Sequence, residues 1–318
     1  MSVRLKLGFV PLVDAAALIV AQEAGFFADE GLEVELSREV SWATIRDKVA
    51  FGALDAAHML APMVLAQTLG VGSERAAMVA PLTLAMDASA VTVSTRLGVE
   101  ADPSGRALAA LVARRRELEA SRLTFSVVFP FSTHNYLLRR WMAEAGVDPD
   151  RDVRLTIAPP PRMAELLAGG VIEGFCAGEP WNAVAVAAGV GTIAAHAAEI
   201  APGAPDKVLG VTAAWAGANP ATLDALVRAL VRALAWAQAP ENRRSLAALL
   251  SGPDYLGLSP EIVAAGLRTV AFGAPRPAPE QAAWLLAQMR RWGQVQGDDA
   301  AARVVYRPDL YARALGIA

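Results

Sequence analysis

The sequence contains a single cysteine, Cys176, and only three histidines, which lie far apart along the chain. One thiol cannot form a disulfide within the chain, and it cannot supply the paired cysteines of a common zinc site. Charged residues make up 19% of the sequence, with acidic and basic side chains interspersed and a net charge of −3. A nucleic-acid surface normally needs a basic stripe, so this balance argues against direct nucleic-acid binding.

Long apolar runs are also missing. No stretch approaches the roughly 20 apolar residues of a membrane-spanning helix. The first residues, MSVRLKLGFVPL, alternate like a strand, and they lack the apolar segment and the small-residue cleavage site of a secretory signal peptide. The sequence therefore predicts a cytoplasmic protein. A periplasmic location is the alternative if an export signal has been removed.

Strand-like and helix-like segments alternate in two blocks, roughly residues 1–94 and 122–215, and helical patterns follow to the C-terminus. In the first block the strands Val3–Val10 and Leu32–Ser37 flank a helix, which is the arrangement of a βαβ unit. With 318 residues, of which 54% are hydrophobic, the chain can build two cores. We therefore predict an α/β protein of two lobes with two chain crossings and a helical C-terminal tail.

The predicted crossings lie near residues 91–95 and 207–211, where one block passes into the other. Lobe 1 is then formed by residues 1–92 and 207–318, and lobe 2 by residues 93–206. Ligands of α/β proteins bind in clefts beside the carboxyl ends of strands. We therefore expect the binding site between the two lobes.

Polar and aromatic residues stand at three predicted helix starts that follow strands: Ser41-Trp42, Thr133-His134-Asn135 and Glu179-Pro180-Trp181. The free backbone N–H groups and the dipole of a helix start favour an anion. Lys207, near the second crossing, can reach the same cleft. Taken singly, a tryptophan packs in a core, a histidine is structural and a lysine lies on the surface. Taken together, these residues predict a site for a small anion.

Four segments carry a resemblance to a known family: SWATIRDKVAFGALDAAHMLAPM, FSTHNYLLRRWMAEAGVDPDRDVRL, GEPWNAVAVAAGVG and DKVLGVTAAWAGANP. Together they resemble the nitrate-binding branch of the type II periplasmic-binding-protein superfamily. The resemblance covers nearly the whole chain and implies a two-lobed type II periplasmic-binding-protein fold. The branch includes binding subunits of nitrate and bicarbonate ABC transporters and soluble nitrate/nitrite sensors of the NasS type. The segment PPPRMAELLAGGVIEGFCAGEPWNAVAV looks more like the sensors, so the chain resembles the NasS type most.

The resemblance also implies the residues of the site. The oxyanion would be held by Trp42, His134 and Lys207, with Thr133 beside the histidine. Nitrate binders of the family also use a glutamine, and its position is matched here by Ser89, which is shorter and leaves the identity of the anion open.

Bicarbonate carries an O–H, so its site benefits from a carboxylate acceptor, which Asp87 or Glu179 can supply. A carboxylate at a helix start can equally serve as a cap, and this second role stays open for Glu179. No family role attaches to His58, which we interpret as structural.

The expected function is a cytoplasmic sensor of nitrate or nitrite. By resemblance its partner would be an RNA-binding antiterminator of the ANTAR type, regulated by closure of the lobes around the anion. The alternative is the substrate-binding component of a nitrate- or bicarbonate-type ABC transporter. A binder of sulfonates or of a thiamine-precursor pyrimidine is a further alternative. No P-loop, GxGxxG motif or Ser-His-Asp order indicates an enzyme, and no cofactor is expected.

Overall fold

A computed structural model of the chain describes residues 2–99, 101–297 and 299–317. Ten strands are present in these ranges: β1 (Val3–Phe9), β2 (Leu32–Arg38), β3 (Ala56–Leu60), β4 (Met78–Met86), β5 (Ser89–Ser94), β6 (Thr124–Val127), β7 (Arg154–Ile157), β8 (Gly174–Gly178), β9 (Gly191–His196) and β10 (Pro205–Thr212).

The α-helices of the two alternating blocks are α1 (Ala16–Glu23), α2 (Phe26–Asp29), α3 (Trp42–Ala50), α4 (Ala61–Leu69), α5 (Arg106–Glu117), α6 (Thr133–Glu144), α7 (Met163–Ala168), α8 (Trp181–Ala187) and α9 (Ala197–Ile200). The remaining helices are α10 (Ala213–Ala218), α11 (Pro220–Gln238), α12 (Arg243–Leu250), α13 (Pro260–Leu267), α14 (Pro279–Arg291), α15 (Ala300–Val305) and α16 (Pro308–Leu315). Short 3-10 turns stand at Val13–Ala15, Thr95–Leu97, Pro160–Arg162 and Pro240–Asn242.

The strands form two five-stranded sheets of the same design, in the orders β2-β1-β3-β10-β4 and β7-β6-β8-β5-β9. In each sheet the first three strands of this order pair with one another in parallel, as the βαβ pattern predicts. The fourth strand, β10 in the first sheet and β5 in the second, runs antiparallel to both of its neighbours. These two strands enter their sheets directly after the chain crossings. The α/β architecture of two lobes is therefore present as predicted.

The crossings lie slightly earlier in the chain than predicted. Strand β5 belongs to the second sheet, so the first crossing is at Asp87–Ala88 rather than after residue 92. Strand β10 already pairs in the first sheet at Pro205, before the predicted boundary after residue 206. The strand patterns on either side of each crossing are equally apolar, so the hydrophobic pattern carries no signal for the change of sheet.

The inner strands are buried because helices cover both faces of each sheet. All residues of β3, β5 and β8 are buried, as expected for strands without a solvent-facing side. The C-terminal helices complete the first lobe: α11 and α16 pack against each other, and α11 also packs on α1. Among the residues described, no helix is long and apolar enough to cross a lipid bilayer.

The close packing of β8 makes Gly174 a sensitive position. A Cβ atom there would lie 2.5 Å from the buried Phe125 ring and 2.9 Å from the carbonyl oxygen of Thr92. We expect Gly174→Ala to destabilise the fold by about 1–3 kcal/mol through overpacking. Gly217 in α10 meets nothing within 4 Å, so Gly217→Ala should be neutral or stabilising by up to about 1 kcal/mol. Urea unfolding of both variants measures the difference, and equal midpoints would contradict this packing.

Candidate functional site

The first wall of the site is the start of α3. The side chain of Ser41 accepts a hydrogen bond from the backbone N–H of Thr44, so Ser41 is the N-cap that the sequence predicts. Trp42 follows as the first helical residue and is only 1% exposed. Its indole Nε1–H has no hydrogen-bond partner in the described part of the chain. A buried N–H without a partner is costly, so this donor is available to a ligand that accepts a hydrogen bond.

The second wall is the start of α6, in the other lobe. Ser132 caps this helix by accepting from the N–H of Asn135. The hydroxyl of Thr133 donates to the carbonyl of Pro205 at 2.6 Å, so it links the helix to the second crossing and is not free for a ligand. His134 is fully buried, and neither of its ring nitrogens has a hydrogen-bond partner among the described residues.

Lys207 is buried between two carboxylates. Its Nζ lies 2.8 Å from Asp14 Oδ2 and 2.6 Å from Asp206 Oδ1, and all three side chains are at most 1% exposed. Burial alone would lower the pKa of Lys207, but the two carboxylates outweigh it and raise that pKa. Lys207 is therefore a charged lysine whose charge is already balanced, and not the free countercharge that the sequence suggests.

The two carboxylates remain ionised in turn. Burial raises the pKa of Asp14 and Asp206, but the charge of Lys207 and the adjacent histidines outweigh it, so both pKa values lie below their ordinary range. The histidine partners are His58 for Asp14 and His134 for Asp206. Both aspartates therefore carry a negative charge at neutral pH.

His58 is part of this site, although the sequence gives it only a structural role. Its Nε2 lies 2.8 Å from Asp14 Oδ1, and its ring is tilted against the Trp42 ring with the centroids 5.4 Å apart. The Lys207 Nζ also lies over the Trp42 ring, 5.6 Å from its centroid. We refer to the side chains of Asp14, His58, His134, Asp206 and Lys207 as the buried polar cluster.

Ser89 faces the same region from the second sheet. It pairs directly with Gly178, and directly paired residues of antiparallel strands project to the same face. A Cβ atom at Gly178 would lie 3.5 Å from Asp14 Oδ2 and 3.6 Å from His134 Nε2. The Ser89 hydroxyl is buried and, within the described ranges, has no partner. It therefore adds a further unused hydrogen-bonding group on the face directed at the cluster.

Both lobes contribute to the site and are held together beside it. The N–H of Val13 donates to the carbonyl of Glu179 at 2.9 Å, and Trp181 Nε1–H donates to the carbonyl of Pro11 at 3.0 Å. Each bond joins the turn after β1 in the first lobe to the segment after β8 in the second. The cluster is fully buried in this arrangement of the lobes.

An open cavity of about 460 Å³ lies outside the cluster, where the lobes meet. Trp42 and Arg46 of α3 line it from the first lobe, and Phe129 and Phe131 line it from the second. The guanidinium of Arg46 lies over the Phe129 ring, 5.7 Å from its centroid. Trp42 thus separates this cavity from the buried polar cluster.

Glu179 does not join the cluster. Its carboxylate accepts from the N–H of Ala183 at 3.2 Å, so it caps α8, which is the second of the two roles that its position allows. It lines a separate cavity of about 340 Å³ together with His196 and Arg268. Burial raises the pKa of Glu179 to about 7, although hydrogen bonds from backbone and Asn182 and the charge of Arg268 oppose the rise.

Asp87 also serves a structural role. It lies at the first crossing, where its carboxylate accepts from the N–H groups of Gly203 and Ala204 at the second crossing. The two carboxylates next to the site are Asp14 and Asp206, which the sequence analysis did not select. Asp14 follows β1 at its carboxyl end, so the rule that selected the helix starts also applies to it. Asp206 adjoins Lys207 in an otherwise apolar strand, where a buried charge needs an adjacent partner.

Comparison with known proteins identifies the family and the fold of the chain. The model of the NMT1-like family matches residues 2–251. The chain belongs to the NMT1-like family. The nitrate/nitrite binding protein NrtA of Synechococcus elongatus is 30% identical over 98% of this chain and 77% of its own length. The crystal structure of the periplasmic nitrate-binding protein NrtA from Synechocystis PCC 6803 matches with a TM-score of 0.93 and 26% identity, over 99% of this chain and 89% of that chain. This match confirms the two-lobed type II periplasmic-binding-protein fold.

A further relative is named for a different role. The bicarbonate transport ATP-binding protein CmpC of Synechocystis is 39% identical over 92% of this chain, but over only 46% of its own length. The chain thus spans about half the length of the ATP-binding proteins it matches. Within the described ranges, no group of three or more His, Cys, Asp or Glu side chains is placed to hold a metal ion.

The raised pKa of Glu179 makes the stability of the fold depend on pH. Between pH 4.5, the ordinary glutamate pKa, and about pH 7, the Glu179 carboxyl is protonated in the folded state but ionised in the unfolded chain. Stability is therefore lost as the pH rises through this window, by about 3 kcal/mol for this group. Glu179→Gln should remove that loss and unfold at higher urea than the parent at pH 8.

The matched control is Glu261→Gln, which changes an exposed carboxylate lining the same cavity. Urea unfolding at pH 5 and pH 8 should show the parent's pH dependence in this control and a flatter dependence in Glu179→Gln. A Glu179→Gln variant with the parent's full dependence would show that another group is responsible.

Proposed function

We propose that this chain is a binding protein that encloses one small planar oxyanion, nitrate or nitrite, between its two lobes, and delivers it to an ABC-type transporter. One observation carries the proposal: Trp42 Nε1, His134 and Ser89 Oγ are buried, lack hydrogen-bond partners in the described structure, and lie around one cluster. Trp42 comes from the first lobe, and the other two come from the second. A ligand that accepts hydrogen bonds from all three satisfies them together.

The chemistry of an oxyanion fits these groups. Nitrate and nitrite accept hydrogen bonds through several oxygens and donate none, so burying them requires donors from several directions. Hydrogen bonds to an ionised acceptor are also stronger than those between neutral groups. Lys207 adds a positive charge, but Asp14 and Asp206 already balance it. The hydrogen-bond donors therefore contribute a larger share of the binding free energy than they would if the lysine were unpaired.

The relatives support this class of ligand. NrtA is named for nitrate and nitrite binding, and CmpC for bicarbonate transport. All three anions are small and planar with a single negative charge. The named relatives bind or transport these anions, which favours a binding role over an enzymatic one for this chain.

Closure of the lobes is the mechanism that we propose for capture. The cluster is assembled from both lobes and is inaccessible while Val13 and Trp181 make their hydrogen bonds across the cleft. An anion that contacts Trp42 and His134 together stabilises only the closed arrangement. Binding would therefore shift the population from open to closed forms.

A sensor role is the second candidate, because the segment PPPRMAELLAGGVIEGFCAGEPWNAVAV resembles the soluble nitrate/nitrite sensors. It requires a cytoplasmic location and an antiterminator partner of the ANTAR type, whereas delivery requires a transporter. Size-exclusion chromatography of the chain with such an antiterminator, with and without nitrate, separates the two. A complex that nitrate dissociates would support the sensor, and the absence of any complex would support delivery.

Calorimetry with nitrate, nitrite, bicarbonate and sulfate tests the proposed function. We expect one planar anion to bind per chain and sulfate to give no heat, because sulfate is tetrahedral and carries a second charge. Absence of binding for all four anions would contradict the proposal. Lys207→Ala is a poor test, because leaving two buried carboxylates without their lysine costs about 3–5 kcal/mol of stability.

Trp42→Phe tests the indole donor without changing the charge. The variant keeps an aromatic ring but loses Nε1–H, so we expect nitrate to bind about 10- to 100-fold more weakly. Trp292→Phe is the matched control, because the indole N–H of Trp292 is likewise buried with no partner among the residues that the structure describes. Its ring contacts Arg139 and Arg291, away from the cluster. Calorimetry should show unchanged affinity for the control. If Trp42→Phe bound nitrate as tightly as the parent, Trp42 would not contact the anion.

A further inference from the structure

We propose that Asp206 is a specificity-determining residue that makes the site distinguish anions by whether they carry a proton. An anion with its own O–H, such as bicarbonate, binds as it is. An anion that only accepts hydrogen bonds, such as nitrate, binds together with one proton taken up from solvent. This inference rests on the proposed function, because it concerns the same site and the same class of ligand.

The charges of the buried polar cluster are the first argument. Asp14 and Asp206 are negative and Lys207 is positive, so these three side chains together carry one excess negative charge. An added anion would bring the excess to two in a site that is shielded from water. Repulsion between negative charges is strong in such surroundings, which favours the uptake of one proton. With that proton, the site and its bound anion together have the same net charge as the empty site.

The hydrogen-bond pattern of Asp206 is the second argument. Its Oδ1 contacts the Lys207 Nζ at 2.6 Å and the His134 Nε2 at 3.4 Å. Its Oδ2 is buried and has no hydrogen-bond partner among the described residues. A carboxylate oxygen can only accept, so the group that satisfies Oδ2 must be a donor. The O–H of bicarbonate is such a donor, whereas nitrate offers none.

His134 is the residue that we expect to hold the proton for nitrate. A protonated histidine donates from both ring nitrogens, and both nitrogens of His134 are buried and without hydrogen-bond partners in the described chain. One nitrogen can then donate toward Asp206 and the other toward the anion. His58 is already engaged, because its Nε2 contacts Asp14 at 2.8 Å and its ring lies against Trp42.

Other titratable groups near Asp206 do not remove the excess charge. Cys176 in β8 faces Asp206 and Lys207, and burial raises its thiol pKa well above the ordinary value, so it is neutral. Asp87 at the first crossing is held by the N–H groups of Gly203 and Ala204. Its charge, where present, adds to the negative excess and does not reduce it.

Calorimetry at pH 8 in two buffers with different ionisation enthalpies counts the protons taken up on binding. We expect about one proton per nitrate and close to none per bicarbonate. The nitrate Kd should also rise with pH, by up to about tenfold per pH unit, because each bound nitrate needs one proton. A nitrate-binding protein that takes up no proton, or equal uptake for both anions, would overturn this inference and leave the proposed function intact.

Asp206→Asn removes one negative charge with almost no change of shape. We expect its nitrate binding to lose the proton uptake and the pH dependence, and its affinity for nitrate relative to bicarbonate to rise. Asp87→Asn is the control and should keep both proton counts, since its backbone contacts lie outside the cluster. Unchanged proton uptake in an Asp206→Asn variant that still binds nitrate would contradict the role of Asp206. If that variant does not fold, the comparison of the two anions in the parent protein decides alone.

Discussion

The ion pairs of Lys207 with Asp14 and Asp206 are the constraint on which the site depends. A lysine buried between two carboxylates is stable only where both contacts are short, and here they are 2.8 and 2.6 Å. Asp14 belongs to the turn after β1, whereas Asp206 and Lys207 belong to the strand that returns from the second crossing. The triad therefore fixes the returning strand against the first βαβ unit. It also sets the charge that any ligand meets.

The buried charged residues lie beside the two chain crossings that connect the lobes. The strands β5 and β10 enter the interior of their sheets beside the central strand, directly after the crossings, so Ser89 and Lys207 both lie close to the crossings. Thr133 ties the start of α6 to the second crossing through the carbonyl of Pro205. A change in the angle between the lobes must therefore alter the distance between the donors of the second lobe and Trp42 of the first. On the proposed mechanism, ligand contact and lobe closure would be coupled in this way.

Much of this arrangement can be predicted from the sequence. The alternation of strands and helices indicates two α/β lobes, and the resemblance to nitrate-binding proteins selects Trp42, His134 and Lys207, which the structure places around one cluster. The crossings are harder to predict, because the strands on either side have the same apolar pattern. Glu179 illustrates another limit: its position after β8 fits a site residue and a helix cap equally well, and only the direction of its side chain separates the two.

The roles of Asp14 and Asp206 could not be predicted from the sequence motifs alone. Each is a single carboxylate in an apolar stretch, and its importance arises from a contact between segments almost two hundred residues apart, which local sequence does not specify. The most direct test of the buried polar cluster as the anion site is a crystal structure of the protein with nitrate. We expect nitrate oxygens within hydrogen-bond distance of Trp42 Nε1 and a ring nitrogen of His134. Nitrate bound elsewhere, for example in the cavity beside Glu179, with no ion at the cluster, would contradict it.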